Sequence, residues 1–367
     1  MIEETSIDYF KGYPLKVKNQ MSVEESERYK YAVNKGLPLR VSICTTTMCN
    51  LRCKMCKYHG QAKIDAETLD YKHFVKIADE LFPYAKELHI GIKGEAFLTP
   101  YLNKIPDILK KFGTQLNVTT NGMLLSQEVS HLILPVLRDV KISFDGATKQ
   151  TFEKLRPGAN FDQIIKNIKE FVKARDEYMS KQKEGTYRPT LTLQSVLMKD
   201  NINELPDIIE LAHDIGADRV KGFNLIVLKP EFLEQSLLFY QDLANKNLKA
   251  AKEIAEKYKL KTKYQDEFDT SINIFTEKGF IPNDCNFLWR QINIEANGDV
   301  IPCCHFYSPA VGNIFKSSVQ EIWNNSLYQK MRKSFSFGNH EYHCLTCPMA
   351  SKKVVNAKSF ILTTNTN

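Results

Sequence analysis

The chain has 367 residues, 43% hydrophobic and 25% charged, with a formal net charge of +7. This is the composition of an ordinary globular protein, long enough for one large domain and a smaller one. Its first residues carry acids and no apolar run, and no stretch approaches the roughly 18 apolar residues of a membrane span, so a secretory signal and a membrane role are excluded and a cytoplasmic protein is expected.

Residues 1–38 are polar and mixed, and predict an irregular lead-in with a short helix around Val23–Val33. From Pro38 onward, β-rich runs alternate with amphipathic ones. The predicted strands are Leu39–Thr45, Glu87–Ile92, Gln115–Thr120, Asp139–Phe144, Thr190–Leu197 and Arg219–Val227. The predicted helices are Thr68–Ala85, Leu102–Phe112, Ser126–Leu137, Gln150–Met179, Ile202–Ile215 and Glu231–Tyr258, with apolar residues recurring at i, i+3 and i+4. Six successive strand–helix pairs argue for an α/β fold with a parallel sheet. They are too few for an eight-unit barrel, so an open, partial (β/α)6 barrel over 39–267 is expected. Basic residues such as those in 246–257 alternate with apolar ones, as on the solvated face of a helix; attraction of an anionic substrate is the other reading.

After about residue 268 short segments with turn signals replace the helices. Ile292–Glu295 and Val300–Pro302 flank Asn297-Gly298, a strong hairpin signal. Residues 268–360 therefore form a small α+β module that carries Cys285, Cys303, Cys304, Cys344 and Cys347. Trp323 and Tyr328 read as core of its supporting helix.

The nine cysteines are odd in number and clustered, which points to metal or redox chemistry rather than to a secreted disulfide scaffold. Cys49, Cys53 and Cys56 have the spacing C-x3-C-x2-C directly after the first predicted strand. Three thiolates there can hold three irons of a 4Fe–4S cube and leave the fourth open, whereas electron carriers use four. In a parallel α/β sheet the chemistry gathers at the carboxyl ends of the strands, where this loop lies. A zinc site is the alternative, but zinc prefers four ligands in paired C-x2-C spacing.

The triplet resembles the signature of the radical S-adenosylmethionine (radical SAM) superfamily, and the resemblance covers roughly residues 38–230. It implies SAM and a SAM-binding 4Fe–4S cluster on Cys49, Cys53 and Cys56. Lys93-Gly94-Glu95 is similar to the family's Gly-Gly-Glu element, which receives the amino group of SAM, with Lys93 replacing the first glycine. Thr120 and Asn121 close the third strand, and Ser143 and Asp145 the fourth, at polar positions that line the ribose and carboxylate of SAM in the family. Arg156 would pair with that carboxylate. Met55 stands where the family often has an aromatic residue near adenine, and offers an apolar surface instead. The implied chemistry is reductive cleavage of SAM to a 5′-deoxyadenosyl radical that removes a hydrogen atom from the substrate.

The second cysteine group, Cys285-x17-Cys303 followed by Cys344-x2-Cys347, resembles the SPASM/Twitch accessory domain of the same superfamily. No further cysteine follows Cys347, so the shorter Twitch form is implied, with one closed auxiliary 4Fe–4S cluster on Cys285, Cys303, Cys344 and Cys347. A structural zinc ribbon also satisfies four cysteines. Cys304 is either a hydrogen-atom donor to a substrate radical or a small buried hydrophobe, and Cys44 reads as core. His59, His305 and His343 lie near cluster cysteines as proton acceptors or ordinary neighbours, and the sequence does not choose.

The expected reaction is oxidation of a small-molecule alcohol, sugar- or aminocyclitol-like, with the auxiliary cluster as electron acceptor. The alternative is peptide modification by crosslinking, epimerisation or side-chain oxidation. About 38 residues precede the first strand, too few for a peptide-recognition domain of roughly 50 or more. An external reductant such as flavodoxin or ferredoxin is the expected partner. No RNA-binding module is visible, and the net charge alone argues little for nucleic acid. The non-enzyme alternative is a zinc-stabilised α/β binding protein.

Overall fold

The structure is a computed structural model, which describes residues 10, 12–56, 67–264, 267–268, 270, 285–303 and 308–337. In chain order its elements are α1 (Pro14–Arg28), β1 (Arg40–Ile43), α2 (Tyr71–Leu81), β2 (Glu87–Ile90), α3 (Ile105–Phe112), β3 (Gln115–Thr120), α4 (Gln127–Ile133), β4 (Leu137–Ser143), α5 (Lys149–Leu155), α6 (Phe161–Met179) and β5 (Thr190–Leu197). There follow α7 (Leu205–Asp214), β6 (Arg219–Asn224), α8 (Gln241–Tyr258), β7 (Lys261–Lys263), α9 (Phe287–Arg290), β8 (Gln291–Ile294), β9 (Asp299–Ile301), β10 (Gly312–Asn313), α10 (Val319–Trp323) and α11 (Ser326–Phe337).

Strands β1 to β7 pair in sequence order, all parallel. Alternation along each strand separates two faces. Val41, Ile43, Leu88, Ile90, Leu116, Val118, Val140 and Ile142 are fully buried on the helix-covered face. The intervening positions, among them Ser42, His89, Asn117, Lys141 and Lys221, are polar and face the concave side. This is a partial α/β barrel with an apolar outer layer and a polar lumen.

The helices form for local reasons. In α2 the residues Phe74, Ile77, Ala78 and Leu81 fall on one face and are fully buried, and Asp70 caps the start by accepting a bond from the His73 N–H at 2.8 Å. Burying each such large apolar side chain contributes about 1.5–3 kcal/mol. Asn160 caps α6 in the same way, accepting from the Gln163 N–H.

Two expectations need correction. The lead-in helix is α1, beginning at Pro14 and ending at Arg28, rather than a short helix around 23–33. Proline is well placed in a first turn because its missing N–H would have no partner there. The single helix expected over 150–179 is two, α5 and α6, because Pro157 follows Arg156 and pushes it out of helical geometry, to φ −123° and ψ 68°. The cysteine-bearing module continues the sheet of the barrel. Its strand β8 pairs parallel with β1, and β9 and β10 continue antiparallel, so one ten-stranded sheet runs through both parts. The hairpin at Asn297-Gly298 is present, with Gly298 at φ +83°.

Candidate active site

The Cys49–Cys56 loop leaves β1 and is tied to the ends of several strands. Thr45 Oγ1 lies 2.7 Å from Thr99 Oγ1, and Thr46 forms a bridge with Thr68. The Glu95 N–H donates to the Met48 carbonyl at 2.7 Å, and the Asn121 amide donates to Asn50 Oδ1 at 2.7 Å. The N–H groups of Arg52 and Lys54 donate to the carbonyls of Pro157 and Leu155, at 2.9 and 3.0 Å. The break between α5 and α6 is therefore the seat of the loop.

Gly94 sits in this web with φ +64°, a conformation that favours glycine. A Cβ there would lie 2.5 Å from the Thr46 carbonyl oxygen and 2.6 Å from that of Met48. The middle residue of Lys93-Gly94-Glu95 thus has a steric reason to be glycine. Lys93 Nζ, at the position where the family has glycine, reaches Glu295 at 2.5 Å, beyond the end of β8.

Cys49, Cys53 and Cys56 are all partly exposed. Burial pushes the thiols of Cys49 and Cys53 up, so deprotonation needs a nearby positive charge. Arg156 Nη1 provides part of it, 3.5 Å from Cys53 Sγ. Among the described residues no three His, Cys, Asp or Glu side chains converge to hold a single metal ion.

Glu95 is 1% exposed. Its carboxylate accepts from Thr120 Oγ1 at 2.6 Å, from the Asn121 N–H at 2.8 Å and from the Phe97 N–H at 3.2 Å. Burial nevertheless holds its pKa above the usual carboxylate value. Thr120 and Asn121 thus orient Glu95, and Asn121 also grips the cysteine loop.

Arg156 and Asp145 contact each other. Asp145 is fully buried and pairs with Arg156, at 2.5 Å to Nη2 and 2.7 Å to Nε, while its other oxygen accepts from the Val196 N–H at 2.7 Å. The guanidinium spans Asp145 and Cys53, donating to the Cys53 Sγ at 3.5 Å. Ser143 is half-buried at the carboxyl end of β4, on the lumen side.

Met55 packs against an apolar patch formed by Leu155, Met198, Leu225 and Val227, with Val196 and Phe232. The sequence reading singled out Met55 but missed this patch, as it missed Asn50 and the Pro157 break. The Arg156-Pro157-Gly158 tripeptide was the available signal for the break.

In the C-terminal module Cys285 and Cys303 are half-buried, just before α9 and just after β9. Trp323 and Tyr328 are fully buried, in α10 and α11. Cys304, Cys344, Cys347, His59, His305 and His343 lie outside the described residues. Cys44 is 2% exposed, as expected of a core residue.

A family model described as the radical SAM superfamily matches residues 43–212, and one described as SPASM, an iron–sulfur cluster-binding domain, matches 285–348. The tungsten-containing aldehyde ferredoxin oxidoreductase cofactor-modifying protein of Pyrococcus furiosus is 26% identical over 87% of this chain and 88% of its own length. The subtilosin biosynthesis protein AlbA of Bacillus subtilis is 26% identical over 86% of this chain and 66% of its own. A probable GTP 3′,8-cyclase of Sulfurisphaera tokodaii is 30% identical over 62% of this chain and 67% of its own. The crystal structure of Streptococcus suis SuiB bound to S-adenosylmethionine shares the fold, with a TM-score of 0.62 at 14% identity over 85% of this chain and 71% of that one.

An open parallel barrel with a three-thiol loop at the end of its first strand defines an iron–sulfur enzyme rather than a zinc-stabilised binding protein. The chain belongs to the radical SAM superfamily and carries a C-terminal SPASM domain. Its cofactors are accordingly SAM, the 4Fe–4S cluster that binds it and an auxiliary iron–sulfur cluster. No helix of the described residues is long and apolar enough to cross a membrane.

Proposed function

We propose that the protein is a peptide-modifying radical SAM enzyme. The likeness to AlbA, a bacteriocin biosynthesis protein, carries this reading, because it extends over 86% of the chain and so beyond the barrel. The GTP cyclase likeness covers only 62%. Oxidation of a sugar- or aminocyclitol-like alcohol, the first expectation, has no counterpart among these relatives. A second reading, modification of another enzyme's cofactor, is favoured by the Pyrococcus protein, whose likeness is as extensive.

The clusters and SAM supply the radical chemistry, and the protein supplies orientation and shielding. Cys49, Cys53 and Cys56 hold the SAM-binding cluster, and Arg156 offsets thiolate charge at Cys53. Glu95, held by Thr120 and Asn121, accepts the SAM amine, and Met55 with its patch covers the adenine. Cys285, Cys303, Cys344 and Cys347 hold the auxiliary cluster, where an electron can leave the substrate. An external reductant of the flavodoxin or ferredoxin type delivers the first electron.

The test is turnover of the reconstituted enzyme with SAM, dithionite and any short peptides encoded beside its gene. A peptide mass change, or deuterium uptake in D2O, together with 5′-deoxyadenosine is the expected outcome, and Cys53→Ala abolishes both. Unchanged peptides alongside turnover of a cyclitol or of a tungsten cofactor precursor would overturn the reading.

A further inference from the structure

Helix α11 turns a partly polar face into the core of the accessory module. Tyr328, Met331 and Arg332 stand at i, i+3 and i+4, and the tyrosine and the arginine are both fully buried. Two ties set the place of this face. Asn325, ahead of the helix, accepts from the Tyr328 N–H at 3.0 Å and donates to the Val311 carbonyl at 2.6 Å. The Val311 N–H in turn donates to the Val300 carbonyl of β9 at 2.8 Å. At the other tie, Arg332 Nε donates to the Leu288 carbonyl at 2.8 Å. Cys303 follows the end of β9 by two residues, and Leu288 follows Cys285 by three. Tyr328 and Arg332 are thus fastened between the two segments that bring Cys285 and Cys303.

Both side chains end in a donor that the fold leaves unused. The Tyr328 hydroxyl and Arg332 Nη2 are buried and have no hydrogen-bond partner among the described residues. Arg332 Nη1 is satisfied, by the Ala32 carbonyl at 3.1 Å and Asn324 Oδ1 at 2.9 Å. The rings of Trp323 and Tyr328 lie 4.6 and 4.9 Å from the guanidinium and offset only part of its charge. Burial lowers its pKa to about 10, so it remains a cation at neutral pH. Burial pushes the Tyr328 phenol up, against the effect of Arg332 and together with that of Cys303, so the hydroxyl keeps its proton. Cys303 therefore lies within electrostatic reach of that hydroxyl. Phenylalanine would pack as well as tyrosine here, and a buried donor or cation without a partner is costly. A 4Fe–4S cube on four thiolates answers both groups, because it is an anion whose sulfurs accept hydrogen bonds. The surroundings of Cys303 thus fit the auxiliary cluster.

We propose that the Tyr328 hydroxyl and the Arg332 guanidinium serve the auxiliary cluster as a hydrogen-bond donor and a positive charge beside Cys303, and that they raise its reduction potential. Reduction adds negative charge to a cluster. A hydrogen bond to one of its sulfurs and a nearby cation each favour the reduced form. Both effects are larger in buried surroundings than in water. The pair suits the cluster to accept an electron. The inference rests on Cys303 as a ligand of the auxiliary cluster and not on the peptide reading.

The experiment is a redox titration of the reconstituted full chain followed by electron paramagnetic resonance, with the auxiliary signal identified as the one lost in Cys303→Ala. Tyr328→Phe removes the hydroxyl and keeps the ring. It is expected to retain its iron and to lower the auxiliary potential by about 59 mV, about a tenfold change in a one-electron equilibrium. It should also lose an exchangeable-proton coupling to that cluster, compared in H2O and D2O by electron–nuclear double resonance. Arg332→Gln, the second variant, is expected to shift the potential in the same direction. An auxiliary potential that moves in neither variant, or a proton coupling unchanged in Tyr328→Phe, overturns the inference and leaves the peptide reading untouched. Iron unchanged in Cys303→Ala overturns the ligand assignment, and this inference with it.

Discussion

Arg156 has contacts that the sequence does not show. The family resemblance implied it as a partner for the SAM carboxylate. Its contacts show a guanidinium fixed by buried Asp145 and aimed at Cys53 Sγ, 3.5 Å away. Arg156→Gln leaves the Asp145 carboxylate buried without its ion pair, at a cost of about 3–5 kcal/mol. The expected readouts are a lower urea midpoint and reduced iron retention; unchanged values of both would contradict the assignment. Glu95 makes a pH prediction. Its ionised form is the one that accepts an ammonium, and burial sets its pKa above the usual 4.5. SAM affinity should therefore fall on acidification before the ordinary carboxylate range is reached, and Glu95→Gln should bind weakly with no acid limb. An affinity flat down to that range would count against Glu95 as the amine partner.

At the scale of elements, strand identity and the parallel sheet of the barrel were readable, and the partnership of the module's strand was not. Gln115–Thr120 and Thr190–Leu197 appear with the expected bounds, because alternation and β-branched residues mark a strand locally. The parallel pairing of β8 with β1 joins residues some 250 positions apart and leaves no local trace. Helix α1 was half-missed for a related reason: its apolar pattern is weak, and a polar residue fixes its place. Lys16 is 1% exposed and donates to the carbonyls of Phe82 and Ala85 and to Thr114 Oγ1, filling acceptors left open where α2 ends. Lys16→Met should destabilise the fold by about 1–3 kcal/mol, read by urea unfolding. The pH dependence has a definite sign. Burial, with a smaller contribution from Lys86, lowers the amine's pKa from 10.5 to about 7. Between those values the unfolded chain binds more protons, so the contribution of Lys16 makes stability rise with pH across that window. The slope should flatten in Lys16→Met, and an unchanged slope would refute the assignment.

Across the whole molecule, the cysteine spacings disclosed two iron–sulfur regions, but not how they are joined. The sheet joins them directly. β8 lies against β1, and the Lys93–Glu295 ion pair at 2.5 Å links the Lys93-Gly94-Glu95 element to the strand that leads into the accessory module. The three-cysteine loop after β1 and Cys303 just after β9 are thus carried by one sheet. Cys303→Ala should remove about half of roughly eight irons, from two four-iron clusters, and leave SAM cleavage detectable. Unchanged iron would show the auxiliary ligands to be misassigned. Substrate identity was not legible because it resides in the loops at the barrel mouth, which follow no general code. The most direct measurement is isotope transfer from a perdeuterated candidate substrate peptide to 5′-deoxyadenosine. Deuterium in the nucleoside is the predicted result. Unlabelled 5′-deoxyadenosine from that peptide, with label arriving instead from a deuterated cyclitol, would contradict the account.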